Sequence, residues 1–175
     1  MIATPSRFRY KCSSCNELHE GLPDVAFSAP DAFEALSPDE RMERALIDDD
    51  FCIIDGNRYF LRCLAEAPIK GFKESFGWGL WCELDWRPFK RVWELYGFDE
   101  PIEPLVFPAR VANALRHYDE TVGLTCEVSL LDDGMRPHLT VTDTAHVLSK
   151  HQAEGLDLDD AVRQARTVGA LLVVG

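Results

Sequence analysis

The sequence predicts an α+β fold, a mainly antiparallel sheet with helices packed on it, opened by an N-terminal zinc-knuckle-like Cys-x-x-Cys turn. Three observations predict it. Residues 123–131 alternate apolar and polar side chains, and 75–84 put Trp78, Leu80, Cys82 and Leu84 on one face and Gly77, Gly79, Trp81 and Glu83 on the other, both with the two-residue period of a strand. Asp55-Gly56-Asn57 separates two apolar runs, 51–55 and 58–64, as a hairpin turn does, because Gly and Asn tolerate positive φ. Helical segments with start signals lie between the strands without a strict β-α-β alternation, which favours antiparallel pairing.

Taken in order, residues 7–11 alternate aromatic and basic side chains and read as a strand leading straight into Cys12-Ser13-Ser14-Cys15-Asn16-Glu17-Leu18-His19. Residues 21–33 lack periodicity and read as a structured loop with one helical turn. Ser37-Pro38-Asp39-Glu40 combines a cap, a proline at the first helical position and a capping-box glutamate, so a helix is expected from there to about Ile47, ended by Asp48-Asp49-Asp50. The hairpin over 51–64 and the strand over 75–84 follow. Asp85 caps a helix over 88–96, with Phe89, Val92, Trp93 and Tyr96 on one face and Gly97 at its end. Pro101, Pro104 and Pro108 mark a connector, and 109–118 reads as a short helix. Beyond the strand 123–131, Asp133-Gly134 turns the chain into a strand over 137–142. A helix over 144–154 ends at Gly155, and Asp157 caps a last helix from Leu158 to about Leu172. The length of 175 residues suits one domain over 1–175, made of a knuckle and loop (1–35) and an α+β body (36–175).

Composition narrows the function classes. Apolar residues make up 46% of the chain, too many for a disordered protein. No apolar run has the length of a membrane helix, and the opening residues hold no apolar segment of a signal peptide. The expected location is therefore the cytoplasm, where six cysteines are thiols rather than three disulfides. A net charge of -12 repels phosphate backbones, so neither nucleic acid nor membrane is expected as a partner, and another protein is.

Cys12 and Cys15 carry the most specific chemistry. Two thiolates converge from such a turn on one centre, as metal knuckles and redox dithiols both require. A redox pair wants a helix directly after it, and residues 16–23 are too short for one, which ranks metal binding first. A structural zinc needs four donors. If Gly56 and Asn57 form a two-residue loop, Cys52 faces Leu61 and shares a sheet face with Cys63, diagonally across the hairpin. Cys12, Cys15, Cys52 and Cys63 are then one four-thiolate candidate, with His19 as the competing ligand. The plainer alternative leaves Cys52 and Cys63 in the core, where free cysteines are common. Cys82 and Cys126 read as core.

Other residues offer less. His19, His117, His138, His146 and His151 have no nucleophile that sequence can place beside them, with His146 and His151 read as a cap and a surface group. Glycine-rich phosphate loops and the common hydrolase and metalloprotease signatures are absent. Asp48, Asp49 and Asp50 suit a solvated loop better than a cation site.

Several segments together resemble a bacterial family known as domain of unknown function 2199. They are Lys11-Cys12-Ser13-Ser14-Cys15 with 19–23, Asp50 to Gly56, Tyr59 to Arg62, Phe76 to Trp81, Arg136-Pro137, and His146 to Gly155. The resemblance implies recurring cysteines at positions 12, 15, 52 and 63, and it names no activity. It departs at Asn16, where the family has Gly, and at Val147, where it has Pro. Asn is the best substitute for Gly in a left-handed turn, so a knuckle survives the first change. The resulting expectation is a cytoplasmic zinc-stabilised interaction or accessory module. The alternatives are an enzyme with a catalytic zinc and a thiol redox switch at Cys12 and Cys15.

Overall fold

The computed structural model describes residues 7–96, 105–130 and 136–175. Gly97, Pro101, Pro104 and the Asp133-Gly134 turn lie outside them. The described elements are β1 (Phe8–Cys12), β2 (Leu18–Glu20), β3 (Val25–Ala26), α1 (Asp31–Glu34), α2 (Pro38–Arg44), β4 (Ala45–Ile47), β5 (Phe51–Ile54), β6 (Arg58–Pro68) and β7 (Ser75–Leu84). After these come α3 (Trp86–Leu95), β8 (Leu105–Val111), β9 (Thr125–Leu130), β10 (His138–Val141), α4 (Val147–Glu154), α5 (Leu158–Arg166) and β11 (Ala170–Val174).

Strands β6 to β10 each pair with the next in antiparallel fashion, and β10 returns to β6. The first and fifth strands of such a meander run in the same direction, so the closing pair must be parallel. His138 lies opposite Leu64 there, and the Leu64 N–H donates to Pro137 O over 2.8 Å. The interior of this five-strand ring is filled by Leu61, Cys63, Ala65 and Ala67 of β6 and by Phe76, Trp78, Leu80, Cys82 and Leu84 of β7. Phe89 and Val92 of α3 join that core from the helix face that the 3.6-residue period marks.

A second, smaller core lies on the other side of the β5–β6–β7 sheet and contains Cys52, Ile54, Phe60, Trp81 and Ala112. Phe27, Phe33 and Leu36 pack against it. Separate from both layers of strands is a three-stranded sheet in the order β11-β1-β2, which joins the two ends of the chain. Among the described residues no helix is long and apolar enough to cross a membrane.

The mainly antiparallel α+β architecture agrees with the sequence, and four local expectations are corrected. The capping box at Ser37 and Glu40 forms, but α2 ends at Arg44 and Ala45 enters a strand. The segment 109–118 is not a helix. Its first residues pair with β9, and the rest is held by side chains: Asp31 accepts the Ala114 N–H, and Thr121 accepts the Leu115 N–H while donating to Asn113 O. The last helix stops at Arg166, because Gly169 takes φ +69 and the apolar tail, which ends in Val173 and Val174, pairs with β1. The fourth correction concerns the hairpin. Asp55 itself takes φ 54, so the loop holds three residues and Ile54, not Asp55, stands opposite Arg58.

Asn113 joins the layers. It is fully buried, its Oδ1 accepts the Trp81 N–H at 2.8 Å, and its Nδ2 donates to Ala29 O and Asp31 Oδ1, each at 2.9 Å. Asn113→Ala orphans a buried N–H and a buried carbonyl, which should cost about 2–4 kcal/mol. Urea unfolding measures this, and a loss below about 1 kcal/mol would contradict the assigned role.

Candidate metal centre

The β1–β2 hairpin ends in a turn from Cys12 to Glu17. The Cys12 N–H donates to Glu17 O (3.0 Å), and the Asn16 N–H donates to Cys12 O (2.9 Å). Asn16 takes the left-handed conformation with φ 58, as expected of the residue standing in for glycine. Backbone N–H groups, Cys15's first and then Ser14's, face the Cys12 sulfur and hold its thiol below the usual pKa. A thiolate held this way is the form that binds metal.

His19 reaches the same point from β2. Tyr10 and His19 are cross-strand partners, with stacked rings whose centroids lie 5.1 Å apart. His19 Nε2 sits 3.1 Å from Cys15 Sγ, and the donor atoms of Cys12, Cys15 and His19 all lie within 4.8 Å of one another. A tetrahedral ion with metal–sulfur bonds near ~2.3 Å and metal–nitrogen bonds near ~2.0 Å spaces its donors roughly 3.5–3.8 Å apart. The three side chains therefore fit one ion after small rotamer shifts.

The turn is braced from behind. The Ser13 N–H donates to Gly169 O (3.1 Å), and a Cβ on Gly169 would collide with Ser13 Oγ. Cys12 stands opposite Ala170, and Phe8 at the far end of β1 is fully buried. The sequence signal for Tyr10 is parity: Phe8, Tyr10 and Cys12 share one face of β1. Gly169 carries no such signal, because its partner Ser13 is distant in sequence.

Cys52 and Cys63 do not join this group. The three-residue loop shifts the hairpin register by one, so Cys52 pairs with Phe60 rather than Leu61. A one-residue shift exchanges faces. Cys52 thus packs in the smaller core and Cys63 inside the ring, each fully buried, on opposite sides of one sheet. Cys63 Sγ lies 3.3 Å from Cys82 Sγ, and Cys82 and Cys126 are core residues as expected. Burial pushes the Cys52 thiol up to about 12 and raises Cys82 and Cys126 as well.

The other candidates have local roles. Asp48 accepts the Asp50 and Phe51 N–H groups, and Asp50 pairs with Arg136. His146 caps α4 by accepting the Leu148 N–H, as expected, whereas half-buried His151 is hydrogen-bonded to Tyr118 Oη at 2.8 Å rather than free on the surface.

The fold and the turn together define an α+β domain with a Cys-Cys-His group that can hold a metal ion. The chain belongs to the bacterial family described as "uncharacterized protein conserved in bacteria", domain of unknown function 2199, whose model matches residues 11–156. No curated protein and no solved structure matches it.

All six cysteines are free thiols, and they divide by exposure. In folded protein treated with a chelator, iodoacetamide should modify Cys12 and Cys15 and spare Cys52, Cys63, Cys82 and Cys126. Peptide mass spectrometry reads this directly, and labelling of Cys63 or Cys82 before unfolding would contradict the burial described.

Proposed function

We propose that the chain is a cytoplasmic zinc-binding interaction or accessory module whose metal is held by Cys12, Cys15 and His19. The observation that supports this most strongly is the convergence of three soft donors on a turn whose backbone already faces the Cys12 sulfur. Zinc in such a turn fixes the tip of a hairpin that is otherwise short, since β2 has only three residues. Beside the tip, exposed Leu18 and Leu171 flank Lys11 across the sheet. A protein partner suits this rigid, mixed surface, and the net charge of -12 favours a basic one over nucleic acid.

The zinc is primarily structural in this reading, with the fourth donor supplied by water or by the partner. One observation favours a second reading. Three protein donors leave a tetrahedral position open, which is also the arrangement of catalytic zinc. Three cavities among the described residues, of about 610, 210 and 470 Å³, are lined by residues other than those of the turn. A thiol switch uses the same two cysteines and excludes metal while oxidised.

Metal analysis of freshly purified protein separates these readings. The expected result is about one zinc per chain, lost in Cys12→Ser and Cys15→Ser, weakened in His19→Ala, and kept in Cys52→Ala and Cys63→Ala. A structural zinc also predicts a lower melting temperature after chelation. Unchanged melting together with metal-dependent hydrolytic activity would favour the catalytic reading. Metal-free protein with a reversible Cys12–Cys15 disulfide would favour the switch.

A further inference from the structure

A second site lies on the outer surface of the ring, formed by residues that take no part in the metal group. In β7, Gly77 and Gly79 point outward, opposite Glu66 and Leu64 of β6. Without side chains there, the sheet leaves a groove of about 470 Å³, lined among others by Leu64, Asp24, Arg62 and Arg136. That size is typical of a small-ligand site.

The two arginines are incompletely used by the protein. Arg62 Nε is buried without a hydrogen-bond partner among the described residues, and Arg62 Nη1 reaches only Asp49 O, at 3.5 Å. Among the described residues, Arg136 bonds Asp50 Oδ1 through Nε, at 3.1 Å, and its Nη groups have no hydrogen-bond partner. Buried donors are nearly always satisfied in native proteins, so the unmatched Nε marks a guanidinium that the fold holds in the groove wall without satisfying it. Guanidinium groups pair best with planar or tetrahedral oxyanions, often through two parallel bonds.

We propose that this groove binds a small oxyanion, a carboxylate or a phosphate group, through Arg62 and Arg136. Against the two arginines stand Asp24 in the groove wall and Asp50 on Arg136. With Glu66 opposite Gly77 as well, the groove has no net positive charge, so binding rests on direct pairing with a guanidinium and a polyanion is disfavoured. Leu64 and the bare glycine backbone leave room for an uncharged body beside the anionic group.

Nuclear magnetic resonance titration of the full chain tests the site. The probes are inorganic phosphate in one arm and propionate in the other, with sodium chloride as the ionic-strength control. The expected result is saturable shifts of the Arg62, Leu64, Gly77 and Gly79 amides in at least one arm. The responding arm identifies the oxyanion. Arg62→Gln and Arg136→Gln should each weaken binding by about tenfold or more. Gly79→Ala should block it while the protein stays folded, because the added Cβ would meet Ala26 Cβ at an ordinary 3.4 Å. Arg136 is exposed, so its variant gives a valid reading even if Arg62→Gln disturbs folding. Absence of saturable shifts in both arms, or equal binding by wild type and Arg136→Gln, would overturn the proposal.

Discussion

The β6–β7 ladder is the interaction on which the rest of the structure is hung. It runs through ten consecutive residue pairs, from Tyr59–Leu84 to Pro68–Ser75. The free edge of β6 is shared between β5 and β10, and the free edge of β7 between β3 and β8. Its pleat decides what each side of the sheet contains. Cys63, Cys82 and Trp78 point into the ring, while Arg62, Gly77 and Gly79 point out of it. One choice of register therefore buries Cys63, which sequence spacing made attractive as a ligand, and exposes the arginine groove.

The metal group depends on a different contact. Its hairpin has a three-residue second strand, and a two-stranded ribbon of that size is marginal alone. The last strand of the chain supplies the third strand, pairing from Phe8–Val174 to Cys12–Ala170. Buried Phe8 and Ala170 tie that sheet to the ring core. The stretch matched by the family model stops at residue 156, before this supporting strand, although it contains all three donors.

Much of this was legible in local chemistry. The capping box at Ser37 and Glu40, the strand at 75–84, the left-handed Asn16 and the apolar face of α3 each follow from rules acting within a few residues. What escaped depends on distant partners. The tail 170–174 has both helical and strand character, and only the edge of β1 selects the strand. The segment 112–118 loses its helix to bonds from Asp31 and Thr121. The hairpin failed by a single residue: Asp55 joined the loop, and that moved Cys52 to the opposite face from Cys63. His19, ranked second as a ligand, is the donor that the structure brings to Cys12 and Cys15, because strand β2 places it there without help from the hairpin.

The group that could hold a metal ion is local to residues 12–19 and separate from the thiols in the two cores. X-ray absorption at the zinc edge of the metal-loaded protein tests this most directly, since sulfur and nitrogen or oxygen donors differ in distance by roughly 0.2–0.3 Å. The expected coordination shell has two sulfurs near ~2.3 Å, with the remaining donors nitrogen or oxygen near ~2.0–2.1 Å. A shell of four sulfurs would contradict it, because only recruitment of Cys52 and Cys63 or other buried thiols could supply the additional two.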